Sequence, residues 1–403
     1  MDDLLPEQIV LRYLLGQGSE SGRTLATELC VPHTLVRDLV ESMRNRKLVA
    51  HRGSTTMGDF IYELTDLGRE RALDHRRQCA YVGPIPVPFN QYLASVAEQT
   101  IRHLHPTAQD LERAFEDLVL APQLIERLGP AISSGRAMFL HGEPGNGKTS
   151  IAERITACFG DAIWIPHTIL LDGHIVKFYD EGTHIAAEAA HKALTTAERL
   201  DRRWVRIRRP TVVAGGELTL EMLEIQQSPH THICEAPLQL KANGGTLVID
   251  DFGRQRIPPQ VLLNRWIFPL ERRFDFLRLP DGRKVTAPFD PLLVFSTNIE
   301  PRTLMDEAFL RRIPYKINVT DPSEDEFRAL AESLSLSMEI VLEEGSLDYL
   351  IERHYRRMKR PFRFCHPRDL LQQIQNQAFY ERRPAFAGRN EWDHAVANYF
   401  GMM

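Results

Sequence analysis

The sequence contains few cysteines and no long hydrophobic run. Its five cysteines are scattered over 403 residues, and none belongs to a Cys-x-x-Cys pair, which fits reduced thiols in a cytosol and argues against a disulfide framework. No apolar stretch approaches the length of a membrane span, and the acidic start, residues 1–6, is unlike a signal peptide. We therefore expect a cytoplasmic protein without a membrane partner.

An excess of one charge is also missing. The 49 Lys and Arg residues nearly balance the 54 Asp and Glu residues, and the net charge of −5 is small for this length. Overall charge therefore does not predict nucleic-acid binding. A hydrophobic content of 43% and a charged content of 26% are ordinary for a soluble globular protein. With 403 residues the chain exceeds one ordinary core, and we expect two or three domains.

A glycine-rich stretch of nine residues carries the strongest signal. Its members are Gly142, Glu143, Pro144, Gly145, Asn146, Gly147, Lys148, Thr149 and Ser150. The stretch follows an apolar run, residues 137–140, and opens onto a helical pattern, which is the strand–turn–helix context of a phosphate-binding loop. In such a loop Lys148 would reach the β- and γ-phosphates, and the Thr149 hydroxyl would hold Mg²⁺. The chain is predicted to bind a nucleoside triphosphate.

Two apolar strands downstream end in polar residues. Residues 246–249 lead into Asp250 and Asp251, and residues 292–297 lead into Asn298. Buried parallel strands would deliver these side chains to the edge of the sheet that carries the phosphate loop. There Asp250 would orient Mg²⁺ through water, Asp251 would polarise the attacking water, and Asn298 would position that water.

Three arginines follow these strands. Arg311 and Arg312 lie near the end of the predicted nucleotide-binding module, where an arginine can stabilise charge on the γ-phosphate of a neighbouring subunit. Arg368 opens a late helix and would reach the γ-phosphate from a lid. For each of the three alone, surface ion pairing is an equally good explanation.

Residues 1–77 are predicted to form a winged-helix domain. Three short helical patterns precede two strands around a glycine-containing wing, residues 53–58. On a DNA-reading hypothesis, His33, Thr34 and Arg37 would face the major groove and Arg52 would touch phosphate, so that residues 33–52 would contact duplex DNA. However, the eleven basic residues of this domain face twelve acidic ones, and DNA contact and protein docking remain equally good alternatives.

Three further segments carry expectations. Residues 78–90 contain alternating prolines and are predicted to be an extended, semi-stiff linker. Residues 162–165 are predicted to be a second strand, and Ile185–Leu200 a helix. Five arginines around Trp204, at positions 202, 203, 206, 208 and 209, form a basic stripe that would suit nucleic acid. A solvated or subunit-facing edge strand is the favoured explanation of the stripe.

In their order and rough spacing, these features resemble those of AAA+ ATPases over about residues 100–385. Residues 242–247 look like the Gly-Gly approach to the acidic strand in MoxR-type ATPases and enhancer-binding activators, and residues 274–288 lie where those relatives carry a hairpin. The resemblance implies ATP and Mg²⁺ as cofactors. It also implies that residues 142–149 are Walker A, Asp250 and Asp251 Walker B, Asn298 sensor 1, Arg312 or Arg311 the arginine finger, and Arg368 sensor 2.

Two departures from the family pattern bear on function. The second Walker B acid is usually Glu, and Asp251 is one methylene shorter, which would slow hydrolysis. The chain also lacks a Gly-Ala-Phe-Thr-Gly-Ala loop, which argues against an activator that contacts the alternative sigma factor.

We therefore predict an N-terminal winged helix (1–77), a linker (78–90), an α/β P-loop AAA+ core of parallel strands flanked by helices (91–319) and a small helical lid (320–403). The expected function is ATP hydrolysis by a ring, with a hexamer of this chain as the expected assembly, that remodels an unknown protein or nucleoprotein partner. Two alternatives are a DNA-binding regulator controlled by ATP with slow or no hydrolysis, and a P-loop kinase. The late arginines and the lack of a recognisable acceptor site speak against the kinase.

Overall fold

The computed structural model describes residues 4–55, 58–160, 162–187, 200–304 and 307–401. The helices are α1 (Leu4–Gln17), α2 (Gly22–Glu28), α3 (His33–Asn45), α4 (Asp66–Gln78), α5 (Phe89–Glu98), α6 (Ala108–Ala114), α7 (Pro122–Ser133), α8 (Lys148–Arg154), α9 (Leu238–Lys241), α10 (Pro259–Arg272), α11 (Pro301–Leu304), α12 (Glu307–Leu310), α13 (Glu324–Ser337), α14 (Ser346–Leu350), α15 (Cys365–Glu381) and α16 (Arg389–Phe400). The strands are β1 (Ser19–Ser21), β2 (Val49–Ser54), β3 (Phe60–Leu64), β4 (Val87–Pro88), β5 (Met138–His141), β6 (Ala162–Pro166), β7 (Thr168–Leu171), β8 (His174–Lys177), β9 (Trp204–Arg208), β10 (Thr211–Ala214), β11 (Gln226–Gln227), β12 (Cys234–Glu235), β13 (Thr246–Ile249), β14 (Phe274–Arg278), β15 (Lys284–Pro288), β16 (Leu292–Thr297), β17 (Tyr315–Asn318), β18 (Val341–Leu342) and β19 (Phe386–Ala387).

A five-stranded parallel sheet with the order β10-β13-β16-β5-β17 forms the centre of the fold. Every residue of β13 and β16 is buried, because a parallel sheet is covered on both faces. Alternate side chains of these strands enter two different apolar clusters, one shared with α10 and one shared with α7 and α8. This arrangement confirms the predicted α/β fold, a parallel sheet flanked by helices.

The N-terminal residues form a helical layer on a small antiparallel sheet. Strands β1, β3 and β2 pair in that order, and α1 to α4 pack on them around a core that includes Ile9, Val36 and Tyr62. The elements follow the order expected for a winged helix. The wing falls partly on residues 56 and 57, which lie outside the described residues.

The segment predicted as a linker does not behave as a free spacer. Its prolines keep it extended, as expected, but Tyr81, Ile85 and Val87 are buried. Strand β4 within it pairs with β7, and the Ile85 N–H donates to the Leu29 carbonyl over 3.0 Å. The linker prediction is wrong in this respect, because apolar side chains between the prolines dock the segment onto its neighbours.

A second mixed sheet, β11-β12-β8-β7-β4, lies beside the N-terminal layer. The strand predicted at residues 162–165 is present as β6, but it pairs only with β9. The parallel sheet takes β10 instead. The helix expected over Ile185–Leu200 falls mostly on residues 188–199, which lie outside the described residues, while Ala186 forms an antiparallel bridge to Ile207.

Helices α13 to α16 and the short pair β18–β19 form the C-terminal layer around Phe327, Tyr355 and Trp392. Helix α13 begins at a capping box in which Ser323 and Glu326 satisfy each other's backbone N–H groups. Of the helices in the described ranges, none has the length and apolar composition to cross a membrane.

Candidate functional site

The glycine-rich stretch forms a loop between β5 and α8, at the carboxyl edge of the parallel sheet. Gly142 and Gly145 adopt φ angles of 142° and 84°, which L side chains rarely adopt. A Cβ on Gly142 would lie 2.3 Å from the Val319 carbonyl oxygen, and one on Gly145 would lie 2.6 Å from the Cys365 sulfur. Glycine is therefore required at both positions by backbone conformation and by close contact, at Gly142 with the residue that follows β17 and at Gly145 with the C-terminal layer.

Lys148 is held inside the loop by three acceptors. Its Nζ donates to the carbonyl oxygens of Gly142 and Glu143 over 2.9 and 2.8 Å, and to Oδ1 of Asn298 over 2.5 Å. Burial lowers the pKa of the Lys148 ammonium, and the nearby Asp250 and Asp251 carboxylates oppose that shift. The ammonium thus lies buried among oxygen acceptors at the mouth of a glycine-rich loop, which is the setting of a phosphate-binding lysine.

The predicted acidic strand meets the loop directly. The Thr149 hydroxyl donates to Oδ2 of Asp250 over 2.9 Å, and Nδ2 of Asn298 donates to Oδ1 of Asp251 over 3.3 Å. Asn298 therefore connects Lys148 to Asp251 by two hydrogen bonds. The ends of β13 and β16 bring together Asp250, Asp251 and Asn298, as the sequence predicted.

The donor set fits Mg²⁺. The Thr149 hydroxyl and the Asp250 carboxylate are hard oxygen donors, and Mg²⁺ in phosphate sites usually takes only one or two protein ligands beside phosphate and water. Among the residues that the structure describes, no cluster of three or more His, Cys, Asp and Glu side chains is suited to a metal. Thr149 and Asp250 are the residues that would hold the ion.

An ion-pair network that the sequence did not predict closes over the loop. Arg363, just before α15, contacts the carboxylates of Glu143 and Asp321, with a distance of 3.1 Å to Glu143. The Asn146 amide donates to the same Asp321 over 2.7 Å, and the Cys365 N–H donates to the Gly145 carbonyl over 2.9 Å. These contacts join the phosphate loop to the C-terminal layer. No local spacing marks Asp321 and Arg363, because their partners lie far away in sequence.

The structure places the other predicted arginines at two different sites. Arg368 lies in the first turn of α15 with an exposed side chain, and it makes no hydrogen bond or ion pair within the described ranges. Arg311 and Arg312 line an open cleft of about 670 Å³, and the Arg312 Nε lies 2.6 Å from Oε1 of Glu271. Arg136, immediately before β5, lines the same cleft. The cleft is therefore at the amino end of β5, whereas the loop follows its carboxyl end.

The residues predicted to read DNA contact acidic side chains. His33 Nε2 lies 3.4 Å from Oδ1 of Asp59, and Arg37 lies 3.4 Å from Oδ1 of its neighbour Asp38. Arg52 Nε lies 3.8 Å from a Glu63 oxygen. Thr34 in the first turn of α3 is exposed. The two arginine pairs are exposed and therefore weak, but all three contacts show that the acidic residues counted in the sequence lie beside the predicted DNA-reading side chains.

Comparisons with known proteins find one family model and several distantly similar solved structures. Residues 323–398 match a family model described as a domain of unknown function, DUF8689. The sequence matches no curated protein. Similar solved structures include NtrX from Brucella abortus, with 14% identity and a TM-score of 0.45 over 82% of this chain and 66% of that one. NtrX in complex with ATP gives 12% identity and 0.43 over 81% of this chain and 61% of that one.

The Thermotoga maritima RuvB Holliday junction branch migration motor gives 12% identity and a TM-score of 0.37, covering 71% of this chain and 68% of that one. With coverages of 61% and 66%, this chain spans less than two thirds of the length of the two NtrX structures.

Proposed function

We propose that this protein binds ATP with Mg²⁺ at the loop of residues 142–149 and hydrolyses it as a member of the AAA+ class. The observation that carries the proposal is the connected set at the carboxyl edge of the sheet. Lys148 bonds to Asn298, Asn298 bonds to Asp251, and Thr149 bonds to Asp250. Phosphoryl transfer needs mainly positioning and charge neutralisation, and these groups supply both.

Each residue has a role that follows from its contacts. Phosphate oxygens would replace the carbonyl and amide oxygens that now accept from Lys148. Mg²⁺ bound by Thr149 and Asp250 would neutralise phosphate charge. Asp251 would accept the proton of the attacking water, and Asn298 would orient both that carboxylate and the water. The remaining loop residues, Pro144 and Ser150 included, contribute backbone groups and shape.

The assembly proposed is a ring, with six copies as the expectation from the AAA+ resemblance. Within one chain the cleft that contains Arg311 and Arg312 lies at the opposite end of β5 from the loop, so these arginines would act on the nucleotide of a neighbouring copy. Arg368, exposed at the start of α15, would reach phosphate when the C-terminal layer moves. The β14–β15 hairpin before β16 supports the MoxR-like type with a hairpin before sensor 1.

In this proposal residues 1–77 are a winged-helix docking module, residues 91–319 the ATPase core and residues 320–403 the lid. The ring would use ATP turnover to remodel a protein or nucleoprotein partner in the cytoplasm. A second candidate is an ATP-controlled regulator that binds duplex DNA through residues 33–52 and turns ATP over slowly. The Asp251 side chain, one methylene shorter than the usual Glu, favours slow turnover.

Nucleotide binding and turnover test the proposal separately. ATP binding by titration calorimetry, with and without Mg²⁺, should be lost in Lys148→Ala and kept in Asp251→Asn, while phosphate release should be lost in both. A wild-type protein that binds no ATP would overturn the proposal. Binding without phosphate release at any protein concentration would favour the regulator, and duplex binding sensitive to Arg37→Ala would then be expected.

A further inference from the structure

The cleft at the amino end of β5 gathers arginines from separate parts of the chain. Arg136 lies just before β5, Arg273 follows α10, and Arg311 follows α12. Four positive side chains and one negative side chain in the lining leave a formal charge of +3. The complete lining is Arg136, Ala137, Leu270, Glu271, Arg273, Arg311 and Arg312.

Much of this positive charge has no carboxylate partner. The side chains of Arg136 and Arg311 are exposed, and within the described residues neither side chain makes a hydrogen bond or an ion pair. The one carboxylate of the lining is already used, because Oε1 of Glu271 lies 2.6 Å from the Arg312 Nε. Two guanidinium groups of the cleft are therefore available to an anion from outside.

Arg273 is fixed beside these available arginines. Its Nη2 donates to the Gly135 carbonyl over 3.0 Å, while the nearby Asp290 pairs with Arg102 over 3.1 Å. Burial and the positive charges of Arg102 and Arg136 lower the pKa of Arg273, and Asp290 offsets this shift only in part. Like charges are thus held together at a half-buried place, which is unfavourable unless an anion binds among them.

We propose that this cleft binds a polyphosphate anion through Arg136, Arg273 and Arg311. A guanidinium presents a planar fork of donors that matches two phosphate oxygens, and linked phosphates carry enough negative charge for several such forks. The cleft volume of about 670 Å³ lies within the usual range of small-ligand sites, about 300–1,000 Å³. This site is distinct from the phosphate loop, which follows the opposite end of β5.

The lining has no feature that would recognise a nucleobase. None of the described residues that line the cleft is aromatic, and its apolar members, Ala137 and Leu270, are aliphatic. Proteins hold single-stranded nucleic acid by stacking its bases on aromatic rings, so the cleft suits such a strand poorly. A monovalent anion would neutralise only one of the arginines. We therefore expect inorganic tripolyphosphate to bind this cleft as tightly as ATP does and more tightly than orthophosphate.

A free polyphosphate and the phosphates of a nucleotide held by a neighbouring copy share the same chemistry. The Lys148→Ala variant distinguishes these two sources, because it removes the proposed nucleotide site from every copy. Free polyphosphate should still bind to this variant. The outcome does not depend on ATP binding at the loop, so a failure of the proposed ATPase function would leave this test intact.

The test measures binding of inorganic tripolyphosphate to full-length Lys148→Ala by titration calorimetry without Mg²⁺. In this background Arg136→Gln and Arg311→Gln should each weaken binding about tenfold, since each removes a charged hydrogen-bond donor. Glu271→Gln should strengthen binding about 2- to 5-fold, because it removes the carboxylate that repels the anion and competes for arginine. A gain of affinity in this last variant cannot arise from misfolding.

The matched control is Arg69→Gln with Arg71→Gln, which removes two exposed arginines of α4 outside the cleft and should leave the affinity unchanged. Thermal melting of each variant establishes that it folds. The proposal is overturned if Lys148→Ala binds no tripolyphosphate at 50 mM salt, or if the control loses as much affinity as the cleft variants. Tripolyphosphate that binds wild type but not Lys148→Ala occupies the phosphate loop and overturns it too. Tighter binding of dT20, lost in the same cleft variants, would assign the cleft to nucleic acid instead.

Discussion

Replacing Arg363, which lies over the phosphate loop, should weaken the attachment of the C-terminal layer to that loop. Arg363 is only 15% exposed and contacts Glu143 and Asp321. The Glu143 side chain is 63% exposed, so that pair contributes little, about 0.2–1 kcal/mol. Asp321 is 36% exposed, and its charged hydrogen bond is worth at most about 1.5 kcal/mol here. Arg363→Ala should therefore cost about 1–2 kcal/mol in local stability.

The loss of local stability in Arg363→Ala can be measured as faster amide exchange. The Cys365 N–H, which donates to the Gly145 carbonyl, should exchange about 5- to 30-fold faster in Arg363→Ala, because local opening becomes easier by that factor. Hydrogen–deuterium exchange of peptides that cover residues 360–368 and 143–148 measures it. Asp321→Asn should have a similar effect and Glu143→Gln a smaller one.

Arg368→Ala is the matched control, since its exposed side chain lies five residues after Arg363 in the same segment. It should leave exchange at both peptides unchanged in the absence of nucleotide. If Arg363→Ala and Arg368→Ala behave alike, the ion-pair network does not hold the lid on the loop and the reasoning from its geometry is refuted.

Three further predictions concern the loop, the lid and the cleft. Gly145→Ala should abolish ATP binding in calorimetry, because its Cβ would lie 2.6 Å from the Cys365 sulfur at a φ of 84°; unchanged affinity would contradict the close packing. Burial, with the nearby arginine charges, lowers the pKa of His366 to about 4, below its unfolded value of about 6.5. The folded state therefore binds fewer protons in this window, and stability should fall as pH falls from 6.5 to 4; His366→Gln should flatten that part of the denaturation profile. Arg312→Ala should reduce phosphate release about 10³-fold without changing ATP affinity. If the variant matches wild type in both ATP affinity and turnover, Arg312 does not act on the nucleotide of a neighbouring copy.

The central sheet and its polar edge could be predicted because their signals are local. Strands β13 and β16 consist mainly of apolar residues and are buried along their whole length, as parallel strands are, and each leads into a polar residue. Parallel strands bring their carboxyl ends to one edge, so Asp250, Asp251 and Asn298 meet the loop at contact distance. The sequence pattern of these two strands was therefore enough to predict where their terminal polar side chains lie.

Other parts depend on pairings that no short window contains. Strand β6 is as apolar as a core strand but pairs with β9, some forty residues later, while β10 takes the place in the parallel sheet. Strands of two residues, such as β4 and β11, are too short to show a period. The alternating prolines predicted an extended conformation for residues 78–90 but did not predict that the segment is buried. The buried side chains of Tyr81 and Val87 were the sequence signal for that burial.

The network over the loop is the clearest case of a site that sequence does not reveal. Arg363 and Glu143 lie 220 residues apart, and neither belongs to a motif that requires the other. The helix start predicted a phosphate-binding role for Arg368, whereas the fold turns the nearby Arg363 towards the loop. Long charged side chains are positioned by tertiary packing, which the local pattern does not fix.

Steady-state phosphate release as a function of protein concentration, in wild type and Lys148→Ala, tests the central claim most directly. The loop geometry and the separation of the arginine cleft from the loop predict Mg²⁺-dependent turnover in wild type that rises cooperatively with concentration, because the site needs a neighbouring copy. Lys148→Ala should release no phosphate at any concentration. Turnover that is independent of concentration would contradict the shared site, and turnover that survives Lys148→Ala would contradict the assignment of the phosphate loop itself.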